Sequence, residues 1–151
     1  MLRTGGAAPE FTLADHDGTA LSLRSLRGRR VFVYFYPKAD TPGCTTQACG
    51  LRDVAGEIGD TVVVGISPDA PARLRKFRDK YDLGFTLLSD ADHAVAEKYG
   101  VWQQKSLYGR KFMGIARTTY LIGPDGKVAQ RWDNVKPDGH AEAVLEAVKA
   151  L

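Results

Sequence analysis

Continuous apolar runs mark the predicted central strands of this chain. The β-branched and aromatic run over residues 31–36 ends at Pro37, and residues 61–67 form a second run of the same kind. Because their apolar positions are continuous instead of alternating, both segments are predicted to be strands buried on both faces of a sheet. Residues 85–88 predict a shorter strand.

Helical periodicity follows these strands and closes the chain. Apolar residues recur at intervals of three and four positions, as on one face of an α-helix. The positions concerned are Leu51, Val54, Ala55 and Ile58, then Leu74 and Phe77, then Ala141, Val144, Leu145 and Val148. They predict a helix that begins close to Cys44, a second over about 70–81 and a third over about 138–151. A shorter helix is predicted over 92–99.

Turn-forming residues separate the remaining extended segments. Residues 15–18 (Asp-His-Asp-Gly) predict a short N-terminal β-hairpin. Residues 123–126 (Gly-Pro-Asp-Gly) join segments 117–122 and 127–132 into a second hairpin. This order of elements implies βαβ units, and by analogy it predicts an α/β fold: a thioredoxin-like sandwich with an N-terminal β-hairpin extension. We expect residues 1–151 to form a single domain.

Composition and charge argue against several classes of function. Charged residues make up 26% of the chain and the net charge is +3, but the cations are interspersed with acids. A nucleic-acid partner is therefore not expected. No stretch approaches the ~20 apolar residues that span a bilayer, and the first residues hold no apolar run of signal-peptide length. We therefore expect no membrane association and a cytoplasmic location.

The two cysteines, Cys44 and Cys49, are the candidates for chemistry. A pair is too few for a secreted disulfide scaffold, and in a reducing compartment such residues tend to be reactive. Cys44 follows the Thr41-Pro42-Gly43 break at the predicted helix start, where unpaired N–H groups and the helix dipole favour thiolate over thiol. The alternative, that Cys44 is a small buried core residue, stays open on position alone.

The residues before Cys44 fit the cleavage of a peroxide bond. A thiolate that attacks one peroxide oxygen needs both oxygens held in line and fixed donors for the charge that builds on the leaving oxygen. The hydroxyl of Thr41 and the backbone N–H of Cys44 are suitably placed in the sequence, and Pro42 can shield the sulfur. Thr41 can also be a simple helix N-cap, and the two roles are compatible.

One segment resembles a known family. Residues 35–49, Phe-Tyr-Pro-Lys-Ala-Asp-Thr-Pro-Gly-Cys-Thr-Thr-Gln-Ala-Cys, resemble the active-site segment of peroxiredoxins of the Q type, also called bacterioferritin comigratory proteins. The resemblance continues through Tyr99-Gly100-Val101-Trp102, Lys105, Tyr108-Gly109, Met113-Gly114-Ile115 and Arg117-Thr118-Thr119. It covers essentially the whole chain, and the spacing of its proline, threonine, cysteines and late arginine makes it specific.

The resemblance implies a thiol-dependent peroxidase and a role for each residue of the site. Cys44 is then the peroxidatic residue, Thr41 its hydrogen-bond partner and Arg117 the cation that stabilises the thiolate. Arg117 as an ordinary surface cation is the alternative. The substrate pocket would be lined by Pro37, Pro42 and Gly43, with the first of these more a strand terminator than a reactant.

The same resemblance implies the partners of the reaction. The substrates would be hydrogen peroxide and organic hydroperoxides, and thioredoxin or a similar CxxC protein would reduce the enzyme again. No metal or organic cofactor is expected, and two cysteines make a poor zinc site. The family type implies a monomer.

The spacing of the two cysteines bears on the disulfide that Cys49 would form as the resolving residue. Positions i and i+5 of an intact helix have Cα atoms roughly 8–9 Å apart, and their side chains point away from each other. A disulfide usually needs less than ~7 Å. The bond would therefore form only after the helix start unwinds, unless Cys49 is merely a packing residue of the helix.

Other functions and other residues fit less well. A thiol–disulfide oxidoreductase would use a CxxC pair, and a redox-responsive binding or chaperone module would oxidise slowly. A cysteine hydrolase would need a histidine base, and no convergence on Cys44 is predicted for His16, His93 and His140.

Two aromatic residues near the site, Tyr36 and Trp102, are interpreted as core residues and not as walls of the pocket. Three polar residues are predicted to be exposed and to take no part in the chemistry: Lys38, Asp40 and Gln47.

Overall fold

The computed structural model describes residues 3–57, 61–137 and 139–149. Three parts of the sequence prediction lie outside them: Ile58 of the first helical face, and both ends of the predicted terminal helix, at 138 and 150–151. The side chain of Val148 is also not described.

A central sheet organises the described chain. Its seven strands lie in the order β2-β1-β5-β4-β3-β8-β9, and β6 and β7 form a separate two-stranded sheet. The strand bounds are β1 Thr12–Asp15, β2 Ala20–Ser22, β3 Val31–Phe35, β4 Val62–Ser67, β5 Thr86–Ser89, β6 Trp102–Leu107, β7 Arg110–Ile115, β8 Thr118–Ile122 and β9 Val128–Trp132. Strands β3, β4 and β5 run parallel, and β8 pairs antiparallel with β3.

Four α-helices lie in the described residues; three of them connect strands, and the fourth follows the last strand. They are α1 Pro42–Val54, α2 Pro71–Tyr81, α3 Ala94–Lys98 and α4 His140–Lys149. Helix α1 connects the parallel strands β3 and β4, and α2 connects β4 and β5, which confirms the predicted βαβ units. The N-terminal hairpin is confirmed by the antiparallel pairing of β1 and β2.

Strand β3 is buried on both faces because a separate core packs on each side of the sheet. Side chains that alternate along β3 contribute to the two cores in turn. The first core contains Phe32, Tyr34 and Tyr36 with Cys44, Ala48 and Leu51 of α1. The second contains Val31, Val33 and Phe35 with Val95 and Ala96 of α3. The first half of α1 therefore packs against the middle of the sheet.

Helices α1 and α4 approach each other closely at Gly50. A Cβ atom at this position would lie 3.2 Å from the Cβ of Ala141, tighter than most contacts between side chains. The glycine thus allows α4 to pack directly on α1, one residue beyond Cys49. This contact anchors the second half of α1.

The sequence interpretation assigned no element to the hairpin formed by β6 and β7. Strand β6, Trp-Gln-Gln-Lys-Ser-Leu, has no regular apolar alternation. None of its side chains is fully buried, so neither face of the strand requires apolar residues. Its turn consists of Tyr108 and Gly109, with φ of +50° and +76°. Paired left-handed residues are typical of the two-residue hairpin turn, for which Asn-Gly is the usual sequence signal. Because tyrosine stands in the first position here, the sequence does not contain that signal.

His140 makes the folded protein sensitive to acid. This first residue of α4 is buried, with Nε2 3.0 Å from the hydroxyl of Thr119 and its ring against Trp132. Burial lowers the pKa of His140 from 6.5 to about 4, and the charge of Arg117 acts in the same direction.

We expect the protein to lose stability as the pH falls from about 6.5 to about 4, because only the unfolded chain protonates His140 in that window. Above it both states are neutral and the stability is fully present. The loss should reach at most about 3 kcal/mol. Urea unfolding of wild type and His140→Gln at about pH 7.5 and about pH 4.5 measures it, since glutamine keeps a polar nitrogen but does not titrate. An identical acid-induced loss in both proteins would assign the sensitivity to other groups.

Candidate active site

Cys44 lies in the first turn of α1, the helix that follows the carboxyl end of β3 along the chain. The helix begins at Pro42, a residue whose fixed φ suits this position. The N–H of Thr45 donates to the carbonyl of Thr41 at 2.8 Å. The amide of Cys44 therefore belongs to the N–H groups that a helix start leaves without an intrahelical acceptor. The Cys44 side chain is 2% exposed.

Arg117 reaches the sulfur from the adjacent strand. Its Nη2 donates to Sγ of Cys44 at 3.3 Å. Strand β8 begins one residue later, and its register pairs Thr118 with Phe35 at the end of β3. The backbone of Arg117 is held by the N–H of Val135, which donates to its carbonyl at 2.9 Å. Sheet pairing thus brings together two residues that lie far apart in the sequence.

Gln47 was predicted to be exposed, and this prediction was wrong. The side chain is 1% exposed, and its Oε1 accepts a hydrogen bond from Nη1 of Arg117 at 2.6 Å. Positions three apart on a helix share a face, so Gln47 lies on the same side of α1 as Cys44. One guanidinium therefore donates hydrogen bonds to both residues, and the bond to Gln47 fixes the orientation of the guanidinium. The three-residue spacing was the signal that could have identified Gln47.

The other predicted pocket residues differ in burial and contacts. At Gly43, a Cβ atom would lie 3.4 Å from Nη2 of Arg117 and 3.4 Å from Cγ of Pro137, in van der Waals contact with both. Pro42 is exposed at the helix start, and Pro37 is half-buried just after β3. That these three positions line a substrate pocket stays a prediction.

The hydroxyl of Thr41 neither caps helix α1 nor is free to donate to a peroxide. It donates to the carbonyl of Lys38 at 2.8 Å, and it makes no capping hydrogen bond to the start of α1. Its hydrogen is thus engaged, and the lone pairs of Oγ1 remain available to accept a hydrogen bond. In this arrangement Thr41 can act toward a further group only as an acceptor, whereas it was considered as a donor from the sequence.

Cys49 is half-buried on the same intact helix, and both thiols are free. It packs against the core cluster beneath α1 that contains Tyr34. The phenol of Tyr34 is close enough to Cys44 and Cys49 to interact with charge on either sulfur. Burial raises the pKa of Tyr34 well above its usual value, so its hydroxyl stays protonated. Among the described residues, that hydroxyl has no hydrogen-bond partner.

Lys105 brings a second cation toward the site. Its aliphatic chain lies over Gly114 of β7, where a Cβ atom would be 3.4 Å from the lysine Cδ. Burial lowers the pKa of Lys105, and Arg117 lowers it further, whereas negative charge on Cys44 has the opposite effect. From the sequence, Lys105 is only one of the residues that carry the family resemblance. Its position could not be predicted without the β6–β7 hairpin.

The remaining candidate residues lie in the core or on other surfaces. Tyr36 is fully buried, and Trp102 is half-buried with its ring stacked on that of His93 at 3.9 Å. Lys38 and Asp40 are exposed as predicted. Within residues 3–57, 61–137 and 139–149, no group of three or more potential metal ligands is clustered. In the same part of the chain, no helix has the length and apolarity needed to cross a membrane.

Comparison with known proteins identifies the family. The model of the AhpC/TSA family matches residues 4–131. Peroxiredoxin Bcp of Escherichia coli is 49% identical over 98% of this chain and 96% of its own length. The solved bacterioferritin comigratory protein of Xanthomonas campestris, studied for its alkyl peroxide reduction activity, superposes with a TM-score of 0.91 at 35% identity over 98% of both chains. Peroxidoxin BcpB of Mycobacterium tuberculosis gives 0.88 at 36% identity over 100% of this chain and 99% of its own.

These relatives confirm the recognised family, the thioredoxin-like fold and the enzyme class over the length of the chain. They favour peroxide reduction over the oxidoreductase and binding-module alternatives. The family implies a peroxide substrate and a thiol reductant. The chain therefore belongs to the AhpC/TSA family, and it is a thiol peroxidase of the peroxiredoxin group that includes the Bcp and Q proteins.

Proposed function

We propose that Cys44 is the peroxidatic cysteine, that Arg117 activates it and that Cys49 resolves its oxidised form as an intramolecular disulfide. The observation that carries this proposal is the hydrogen bond of 3.3 Å from Nη2 of Arg117 to Sγ of Cys44. A guanidinium stays charged at any working pH. Together with the N–H groups at the start of α1, it stabilises the thiolate, which is the nucleophilic form of cysteine.

Oxidation of Cys44 breaks the peroxide bond. The thiolate attacks one oxygen of ROOH, the O–O bond breaks, and the leaving oxygen takes up a proton to give ROH. Cys44 becomes the sulfenic acid, Cys–SOH. N–H groups of Arg117 and Cys44 stabilise charge on the oxygens, and the lone pairs of Thr41 accept a hydrogen bond from the bound hydroperoxide. The burial of the sulfur, together with Pro42, limits access of water.

Resolution joins the two cysteines. The thiol of Cys49 attacks the sulfenic sulfur, a disulfide forms and water leaves. Because both residues lie on one intact helix, with Cα atoms separated by roughly 8–9 Å, the first turns of α1 must unwind first. Buried Leu51 and the contact of Gly50 with Ala141 hold the remainder of the helix.

A dithiol protein of the thioredoxin type completes the cycle. Its thiolate attacks the disulfide to form a mixed disulfide and releases one cysteine of the enzyme, and its second thiol then displaces the other. The net reaction converts ROOH and a dithiol into ROH, water and a disulfide. Hydrogen peroxide and organic hydroperoxides are the expected substrates. We expect the chain to act as a monomer in the cytoplasm, with no cofactor.

Replacing Cys49 with serine tests this division of roles. We expect Cys49→Ser to react with one equivalent of peroxide as fast as wild type but to accumulate as the sulfenic acid. Turnover with thioredoxin should fall at least about tenfold, and excess peroxide should add a second oxygen to give sulfinic acid. Intact-mass spectrometry after peroxide treatment measures both oxidised forms. Undiminished turnover by Cys49→Ser would remove this residue from the cycle.

A further inference from the structure

The exposed large hydrophobic side chains of the described chain are concentrated on the β6–β7 hairpin. Their exposed fractions are Leu107 57%, Tyr108 95%, Phe112 46% and Met113 50%. Strand pairing explains how they are distributed. Leu107 and Phe112 lie on one face of the hairpin, Met113 lies on the other face, and Tyr108 occupies the tip. A ligand that covers both faces and the tip must have the size of a protein surface, because a small hydroperoxide reaches only one of them.

The same hairpin is cationic. The segment 102–115 contains Lys105, Arg110 and Lys111 and has no aspartate or glutamate. Residues 24–30 also carry several arginines and no acid, so the hairpin is distinguished by the combination of cations with the exposed apolar side chains. A second copy of this chain would bring like charges together at this surface. The complementary partner is therefore a different protein with acidic residues beside an apolar patch.

The hairpin is continuous with the active site. In the register of the two strands, Lys105 lies opposite Phe112, and Leu107 lies opposite Arg110 on the same face. From this face Lys105 extends across Gly114 toward Arg117 and Cys44. A protein seated on the face with Lys105 and Phe112 thus lies beside the cysteine that must exchange disulfides.

The tip residue is better suited to binding than to folding. Tyr108 has a φ of +50° and is 95% exposed. The left-handed region is unfavourable for a residue with a bulky side chain, and a turn of this kind is best made by Asn-Gly. Exposed tyrosines, in contrast, are common anchors of protein interfaces.

We propose that the β6–β7 hairpin is the docking surface for the dithiol protein that reduces the enzyme, and that this partner presents an apolar patch flanked by acidic residues beside its reactive cysteine pair. The inference rests on the proposed function, since it requires the Cys44–Cys49 disulfide. Docking places the partner's thiolate next to that disulfide. Attack on it gives the mixed disulfide and frees one enzyme cysteine, and the partner's second thiol then releases the other.

The variants Tyr108→Asn and Lys111→Glu test the proposal without touching the reacting residues. Asparagine removes the aromatic ring and supplies the preferred residue of the turn, so the hairpin is preserved. Lys76→Glu, on the exposed surface of α2, is the matched control for the change of charge. Stopped-flow measurements follow oxidation by hydrogen peroxide, reduction of the disulfide form by thioredoxin, and reduction by dithiothreitol.

We expect Tyr108→Asn and Lys111→Glu each to slow reduction by thioredoxin about five- to tenfold, and rates with hydrogen peroxide and dithiothreitol to stay unchanged. The effect of Lys111→Glu should shrink as salt is added, because salt screens exposed charges. Lys76→Glu should match wild type in all three reactions.

Several results would overturn the proposal. Unchanged reduction by thioredoxin in both hairpin variants is the simplest. Slower reaction with cumene hydroperoxide and normal reduction by thioredoxin would make the hairpin a peroxide subsite. Loss of binding to anionic vesicles with normal reduction would make it a membrane contact, and loss of a wild-type dimer in sedimentation would make it a self-association surface. Failure of the proposed function is recognised separately, since wild type itself would then form no Cys44–Cys49 disulfide.

Discussion

Cys44→Ser is expected to reduce peroxide turnover to the level measured without enzyme. A serine hydroxyl has nearly the shape of the thiol but does not ionise at neutral pH, so it gives Arg117 no anion to stabilise and offers no nucleophile to the peroxide. The hydrogen bond from Arg117 at 3.3 Å can still be accepted by the smaller oxygen. Peroxide consumption in the presence of thioredoxin and its reductase measures the effect.

The fold should survive this change, which separates a loss of chemistry from a loss of structure. Cys44 is buried at the start of α1, and its serine variant should keep the circular dichroism spectrum and a cooperative thermal transition. Thr46→Ser is a matched control, because it alters an exposed hydroxyl residue on the same turn of the helix and should leave turnover unchanged. Appreciable peroxide reduction by folded Cys44→Ser would require a different reacting residue.

Arg117→Ala should slow the oxidation of Cys44 by about 10²–10³-fold, the usual cost of removing a fixed donor from a reacting centre. The variant loses the donor to the sulfur and the N–H groups that face the peroxide oxygens. It also leaves Oε1 of buried Gln47 without the hydrogen bond of 2.6 Å that it accepts. The second-order rate constant for peroxide, measured by stopped flow with the reduced protein, reports the loss directly.

A second reaction and a lysine variant make this test more specific. If Arg117 acts on the sulfur as well as on the peroxide, Arg117→Ala should also slow the reaction of Cys44 with a thiol reagent that is not a peroxide, such as iodoacetamide. Arg117→Lys keeps the charge but not the planar fork, and it should recover only part of the rate because one ammonium cannot serve both Cys44 and Gln47. A deficit with peroxide only would mean that Arg117 acts on the peroxide alone, and no deficit in either reaction would remove it from the site.

Local sequence patterns were sufficient to predict the elements that carry Cys44. The apolar run of β3 and the helix that follows it are short-range features, and the structure confirms both, although α1 already begins at Pro42, within the predicted break, and ends at Val54. The burial of β3 on both faces also followed from its continuous apolar character. These properties depend on neighbours within a few residues, which is why they could be predicted from the sequence alone.

The missed features depend on tertiary contacts. Hydrogen bonding to Arg117 makes a glutamine tolerable in the core, so polarity wrongly placed Gln47 on the surface. The β6–β7 hairpin lies beside the main sheet with much of its surface exposed, and no apolar alternation marks it. The distance from Arg117 to Cys44 is set by the pairing of β8 with β3. The family resemblance supplied that contact, whereas residue spacing could not.

The most direct test of the account is to map the cysteines of wild type after reaction with one equivalent of hydrogen peroxide. The reduced protein is treated, digested without reductant and analysed by mass spectrometry. The account predicts a Cys44–Cys49 disulfide within one chain, which exchange with thioredoxin removes. Two unmodified thiols after treatment, or a disulfide only between chains, would contradict it.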